Sequence, residues 1–156
     1  MRYLAFLFAL VGSQAHALSC APPSLERSFL HADEADAAWW IIEGRISYDA
    51  SQVPKRDLLN NFPEDAELPA RLEGLGLTGG GFLAPVDMEI ILRVTCAGPW
   101  CGGNPGDGTA IYFVEEREEG WTHTSSPCPA WSFEASEDAE ARLLSCLEGE
   151  ACAPKD

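Results

Sequence analysis

The sequence predicts a mainly β, disulfide-braced domain: a five-stranded antiparallel barrel with a short helix before it and a longer helix after it. Three observations support this fold class. Runs rich in aromatic and β-branched residues recur between glycine-rich turns, and six cysteines follow an apolar N-terminal segment. In addition, the sequence lacks the strand–helix–strand alternation that would indicate a parallel sheet. The length of 156 residues fits one domain of the usual size, roughly 100 to 200 residues.

The N-terminus has the features of an export signal. Arg2 gives a positive start, residues 4–11 form an apolar run too short to span a bilayer, and small residues end at Ala17. We therefore expect a signal peptide over residues 1–17 and a single mature domain over residues 18–156. Secretion or a periplasmic location follows, and there the cysteines would form structural disulfides.

The charge balance excludes some partners. The chain has 10 Lys and Arg against 25 Asp and Glu, a net charge of -15; loss of Arg2 with the signal makes it -16. Such a surface repels nucleic acid and anionic lipid, so neither is an expected partner. The acidic runs at residues 115–119 and 134–150 fit a solvated face better than an acidic docking or calcium surface. We expect a monomer without a membrane span.

The first half of the chain predicts one helix and one strong strand. Ser24 can cap a helix that runs to Ala35. Residues 37–46 (AAWWIIEGRI) have the composition of a central strand. Residues 49–66 mix proline, asparagine and charge and predict an exposed connection, with one helical turn near residues 58–59.

The second half predicts more strands and a final helix. Residues 68–77 contain glycines that would permit bending, and a turn at residues 79–81 leads into a strand over residues 86–94. Residues 110–114 and 121–125 predict a hairpin, and residues 136–147 a helix capped by a serine. The strand over residues 86–94 alternates strictly, which predicts that Val86, Met88, Ile90, Leu92 and Val94 share one buried face.

The opening of the mature chain resembles that of netrin-like domains, in particular the tissue inhibitors of metalloproteinases. Residues 18–23 (LSCAPP), then Phe29 and residues 32–33 (AD) before a strand, are similar to their Cys-x-Cys-x-Pro opening, short helix and Asp. Residues 101–102 (CG) and 125–128 (SSPC) are similar to later cysteine motifs. The layout also resembles small exported bacterial proteins of no known function, which share a loop like residues 98–102 (GPWCG).

The resemblance implies a five-stranded OB-like barrel whose N-terminal arm is tied down by disulfides. It implies a bridge from Cys20 to Cys128. Local pairing then leaves Cys96 with Cys101 and Cys146 with Cys152; Cys20 with Cys101 or Cys96 is the main rival, because sequence alone does not set connectivity.

The resemblance also makes the new N-terminus, Leu18, a candidate binding residue. The inhibitors begin with a cysteine whose amine and carbonyl chelate the protease zinc, and a disulfide holds it in place. Here Leu18 occupies that position and has no such anchor. Its amine could reach a metal without being preorganised, so inhibition of metalloproteinases is a secondary hypothesis.

Motifs for catalysis or metal binding are absent from the sequence. It has no G-x-S-x-G, H-E-x-x-H or C-x-x-C motif, and its mature histidines are His31 and His123 only. The cysteine spacings do not match zinc knuckles. We therefore expect no cofactor, no metal and no catalytic residue; the alternative is a small exported enzyme of unknown chemistry.

The loop at residues 96–108 is the predicted contact surface. The functional interpretation makes Trp100 a partly exposed anchor with Asn104 and Asp107 as polar contacts, and these two also hint weakly at calcium. The plainer interpretation is a disulfide-braced turn with Trp100 plugging a barrel end. A second feature is the consecutive pair Trp39 and Trp40, of which one should face inwards and one outwards.

Lipid attachment at Cys20 is a further alternative. The residue three positions earlier fits a lipobox poorly, and acylation would leave an odd number of cysteines. The sequence as a whole predicts an exported, non-catalytic binding or inhibitory module with a protein partner. Such a module should lose that partner, but not its fold, when Trp100 is replaced.

Overall fold

The computed structural model describes residues 19–55, 63–103, 108–150 and 152–153. The leader, the helical turn predicted near residues 58–59, Leu18, Asn104 and Asp107 lie outside these ranges. The elements in chain order are α1 (Leu25–Glu34), β1 (Trp39–Tyr48), a 3-10 turn (Ala50–Gln52), β2 (Ala66–Thr78), β3 (Gly81–Val94), β4 (Cys96–Ala97), β5 (Trp100–Cys101), β6 (Ala110–Arg117), β7 (Gly120–Ser125), β8 (Ser132–Glu134) and α2 (Glu137–Leu147).

Five strands form a closed barrel of the OB type, which confirms the predicted fold class. The order is β1-β2-β3-β7-β6, and a ladder between β6 and β1 closes the barrel. One detail differs from the prediction of an antiparallel barrel, because β3 and β7 run parallel. The cause is the tight hairpin between β6 and β7, which reverses the chain once more before it reaches β3. The short β8 adds to β6 beside β7.

The apolar residues form two layers. The first fills the barrel, and all five residues of the alternating face in β3 belong to it or pack against it, as predicted. The second layer lies between the outer wall of the barrel and the two helices. In it, Phe29 of α1 and Leu143 of α2 cover Ile111 and Phe113 of β6. The helices therefore seal a wall that would otherwise expose β6 to water.

The two helices are joined by a buried ion pair. Arg142 of α2 donates from Nε and Nη2 to Oε1 of Glu26 in α1, at 2.7 and 2.6 Å, and Ser24 Oγ donates to Oε2 at 3.1 Å. Burial raises the pKa of Glu26, but hydrogen bonds from its own backbone, Arg142 and Ser24 outweigh burial, so the pKa is lowered. The pair therefore holds α1 and α2 together within the helix layer.

Two glycines allow a close approach of β1 and β2. Gly44 and Gly74 face each other in the ladder. A Cβ atom at Gly74 would collide with the Glu43 carbonyl oxygen, and one at Gly44 with the Glu73 carbonyl oxygen. The bending expected from glycines in β2 also appears as a register shift between Gly76 and Leu77.

Three disulfides brace the fold, and they join the same pairs as those expected from the sequence. Cys20 bonds to Cys128 and ties the N-terminal arm to the segment after β7. Cys96 bonds to Cys101 across β4 and β5, and Cys146 bonds to Cys152 at the end of α2. Three disulfides fit an oxidising compartment.

Within the described ranges, neither helix is long and apolar enough to cross a membrane.

Candidate functional site

The two consecutive tryptophans of β1 have opposite environments. Trp39 lies on the outer wall, where its ring stacks on Trp131 at a centroid distance of 4.7 Å and belongs to the helix-covered layer. Trp40 lies on the inward face with Ile42, but at the start of the strand, where the barrel ends. Its side chain is 44% exposed. The outward ring of Trp39 is therefore covered by the helix layer, and the uncovered ring is the inward one.

Trp121 holds the ring of Trp40 in place. Trp121 is the second residue of β7, and its ring centroid lies 5.9 Å from that of Trp40 at an interplanar angle of 59°. The Trp121 ring is half-buried and packs against the barrel interior. The two rings therefore close one end of the barrel with an exposed aromatic surface, which we call the tryptophan end.

Three hollows meet around the tryptophan end. The first, about 520 Å³, lies between α1 and the start of β1 and includes Trp40. The second, about 620 Å³, includes Trp121 and Glu119. The third, about 720 Å³, lies along the turn between β6 and β7. The third is a shallow, open surface; it shares Ala37 with the first hollow and Glu119 with the second, so the three adjoin one another.

Among the described residues, the acidic side chains around these hollows lie mostly in the third, whereas the first, which contains Trp40, is mainly apolar and has Asp33 as its carboxylate. The hollows also include two guanidinium groups, and both are engaged: Arg71 donates from Nη2 to Asp87 Oδ2 at 2.6 Å, and Arg117 from Nε to Glu115 Oε2 at 2.6 Å. The carboxylates that line the hollows are seven: Asp33, Asp36, Glu89, Glu115, Glu116, Glu118 and Glu119.

Glu116 is the carboxylate on the same face as the two rings. It stands directly opposite Trp121 in the β6–β7 ladder. Val114 lies two residues before Glu116 in β6 and stands opposite Trp40 in the β1–β6 ladder. Side chains two residues apart share a face, and diagonal neighbours lie about 7 to 8 Å apart. Glu116 is exposed and forms no ion pair with any residue that the structure describes.

The candidate residues from the sequence lie elsewhere. Trp100 is half-buried in β5, opposite Ala97 in the small β4–β5 hairpin, and does not line any of the three hollows. Its neighbour Cys101 packs against the barrel core. Leu18, Asn104 and Asp107 lie outside the described residues, so their roles stay predictions.

The most perturbed titratable group is enclosed in the barrel wall. His123 of β7 is fully buried, and its Nδ1 lies 3.0 Å from the Phe113 carbonyl oxygen, to which it donates. Burial lowers its pKa from 6.5 to about 4, against the opposing effect of that hydrogen bond. Its Nε2 has no hydrogen-bond partner among the described residues, and its ring meets Tyr112 edge-on. An enclosed neutral imidazole is a structural group rather than a proton shuttle.

In the part of the chain that the structure covers, no group of three or more His, Cys, Asp or Glu side chains is placed to hold a metal ion. What the tryptophan end offers chemically is aromatic surface surrounded by negative charge.

The chain as a whole defines a disulfide-braced OB-type barrel, and comparison adds no family to that description. It has no significant match among protein-family models, curated proteins or solved structures.

Proposed function

We propose that this protein is an exported, non-catalytic binding module that captures a protein partner at its tryptophan end. The observation that carries the proposal is the 44% exposure of Trp40 in the wall of the first hollow, beside the acidic third hollow. Tryptophan anchors are over-represented among the residues that dominate binding energy, and they are surrounded by a polar rim. Here the acidic third hollow supplies such a rim.

The rigidity of the site supports the same proposal. Trp40 belongs to a strand paired on both sides, with β2 and with β6. Trp121 begins a strand held between β6 and β3. A contact surface built on paired strands loses little conformational freedom when a partner binds, and this favours affinity.

The proposal includes a compartment and a class. We propose that the leader is removed near Ala17, that the mature protein is secreted or periplasmic, and that the domain is netrin-like. The Cys20–Cys128 bridge, which ties the N-terminal arm to the barrel, and the OB-type strand order support this. Mass spectrometry of the unreduced exported protein should give a Leu18 start and a Cys20–Cys128 cross-linked peptide. A lipid on Cys20 would contradict it.

Photo-crosslinking in the native host tests the binding function. A photoreactive residue in place of Glu118, on the rim of the tryptophan end, should give a discrete crosslinked partner. The same residue in place of Leu83, which is 64% exposed but lines none of the three hollows, should not.

Two substitutions complete that test. Trp40→Ala should abolish the crosslink at position 118, whereas Leu83→Ala should leave it unchanged. A crosslink that survives Trp40→Ala but disappears with Trp100→Ala would move the site to the loop of residues 96–108. Equal crosslinking from positions 118 and 83 would contradict a specific partner.

Inhibition of a zinc protease through Leu18 is a separate proposal and has its own assay. Micromolar mature protein that leaves a panel of zinc proteases at full rate would exclude it.

A further inference from the structure

We infer that the tryptophan end recognises a basic segment of its protein partner, with a lysine or arginine side chain seated against the Trp40 ring beside the Glu116 carboxylate. The inference rests on the proposed function and adds the chemistry of the partner. It follows from three features: the position of the rings, the place of Glu116 in the sheet, and the charge of the surrounding residues.

The rings provide the first feature. A cation is attracted to the face of an indole ring when it lies within about 6 Å of the ring centroid, and tryptophan is the strongest such partner. The ring of Trp40 is exposed, and its contact with Trp121 fixes its orientation. An exposed and oriented indole ring can accept a cation without rearrangement of the barrel.

Glu116 provides the second feature. Its register places a carboxylate on the face that carries both rings, directly across from Trp121 and diagonal to Trp40. A side chain seated on the Trp40 ring could therefore donate to Glu116 as well, and a charge-assisted hydrogen bond is about twice as strong as a neutral one. An apolar partner would leave this carboxylate unmatched.

The surrounding charge provides the third feature. Seven carboxylates line the three hollows, and the two guanidinium groups there are already paired with acids. The chain carries a net charge of -15. The resulting field draws a cationic segment towards this surface and repels an acidic one. Charge complementarity thus selects a basic partner segment among the possible occupants of this surface.

The test uses the mature protein and two matched peptides. One is a glycine- and serine-based peptide with two lysines, and the other has norleucine in place of each lysine, which keeps the methylenes and removes the charge. Binding is followed by the NMR signals of the indole N–H groups, assigned with Trp40→Phe and Trp121→Phe. We expect a saturable shift of the Trp40 signal with the lysine peptide, weakened by salt, and none with the norleucine peptide.

Variants locate the site. Trp40→Ala and Glu116→Gln should each weaken lysine-peptide binding about 3-fold. Glu134→Gln removes one exposed carboxylate from β8, away from the hollows, and should leave the affinity unchanged. Equal shifts with both peptides, or lysine-peptide binding that is indifferent to Trp40→Ala and Glu116→Gln, would overturn the inference.

The two proposals fail in different ways. A Trp40-dependent crosslink at position 118 without lysine-peptide binding would retain the binding module and overturn its basic partner. Lysine-peptide binding that responds to both variants, with no crosslink at position 118, would retain the cation site and overturn the proposed function.

Discussion

The two ends of the barrel differ in how they are closed, and β7 connects them. At the end of β7, the Ser125 carbonyl accepts from Thr95 N at 2.9 Å, Ser125 Oγ donates to Gly103 O at 2.7 Å, and Gly102 N donates to Thr95 O at 2.8 Å. Two of the disulfides lie close by in sequence, at positions 96–101 and 128. At the start of β7, the rings of Trp40 and Trp121 close the barrel, and one of them is exposed.

This difference indicates a division of tasks. We call the end of the barrel at the end of β7 the braced end. Covalent bonds and backbone hydrogen bonds hold it in one conformation, so side chains there have structural roles. The tryptophan end has exposed aromatic surface and the exposed carboxylate of Glu116, which forms no ion pair among the described residues, and these add little to stability. Stability and binding should therefore respond to substitutions at different ends.

The largest effect should come from the long disulfide of the braced end. Replacing Cys20 and Cys128 together by serine opens a loop with a sequence separation of 108. In the chain-entropy treatment this lowers the free energy of unfolding by about 5 kcal/mol, as measured by urea denaturation. The matched double variant at Cys96 and Cys101, with a separation of 5, should lose only about 2 kcal/mol. Equal losses would show that loop length does not govern these bridges.

Acid should destabilise the strand that joins the two ends. The pKa of His123 is about 4 in the folded protein and 6.5 as its ordinary value, so the unfolded chain takes up the proton first. The stabilisation that this pKa difference gives the folded state is complete above pH 6.5 and is lost as the pH falls towards 4. The loss in the free energy of unfolding is on the order of 3 kcal/mol. Urea denaturation between pH 7 and 4 should show this fall. His123→Gln should flatten the profile; an unchanged profile would assign the acid sensitivity to other groups.

A smaller effect should come from the helix layer that covers the wall between the ends. Arg142→Met leaves Glu26 buried without its partner, which should lower the free energy of unfolding by about 2 kcal/mol, less than for a fully buried pair because Arg142 is partly exposed. Asp138→Asn removes only the weak outer contact of Arg142, 3.4 Å long, and should cost below about 0.5 kcal/mol. Similar losses in both variants would show that the Arg142–Glu26 contact contributes no more to stability than the Arg142–Asp138 contact.

The smallest effect on stability should come from the tryptophan end. Trp40→Ala should lower the free energy of unfolding by less than about 1 kcal/mol, since much of the ring is already in water. Trp39→Ala, on the neighbouring residue, removes a ring from the helix-covered layer and should cost about 3 kcal/mol. Thermal or urea denaturation compares the two directly. If Trp40→Ala is the more damaging, the tryptophan end is a structural cap.

The fold was largely predictable because its signals are local. Ser24 and Ser136 cap their helices as expected, and both side chains accept a backbone N–H three residues on. The alternation from Val86 to Val94 predicted the buried face of β3 correctly. The parallel pairing of β3 with β7 was not predictable, because it joins segments far apart in the chain and leaves no local pattern. The same holds for β8, whose three residues are too few for a periodic signal.

Only part of the candidate site could be predicted from the sequence. The sequence predicts that one ring of the pair Trp39 and Trp40 faces inwards and the other outwards. Which of them is exposed depends on where the barrel ends and where α1 and Trp131 pack, and both are tertiary facts. In the sequence, Glu116 is distinguished only as part of the acidic run at residues 115–119. Its position opposite Trp121 in a predicted hairpin was the one available signal that it shares a face with an aromatic ring.

The closing ladder has a kinetic consequence. The hairpin of β2 and β3 needs only a short turn. In contrast, β1 cannot pair with β6 until β6 has been synthesised, more than sixty residues later. Contacts between distant segments slow folding, so the barrel should pass through a state in which the β2–β3 hairpin is formed and one edge of β1 is bare. Unpaired strand edges are templates for pairing with other chains. The time between the emergence of β1 and the arrival of β6 is therefore the interval in which this protein is most prone to aggregate.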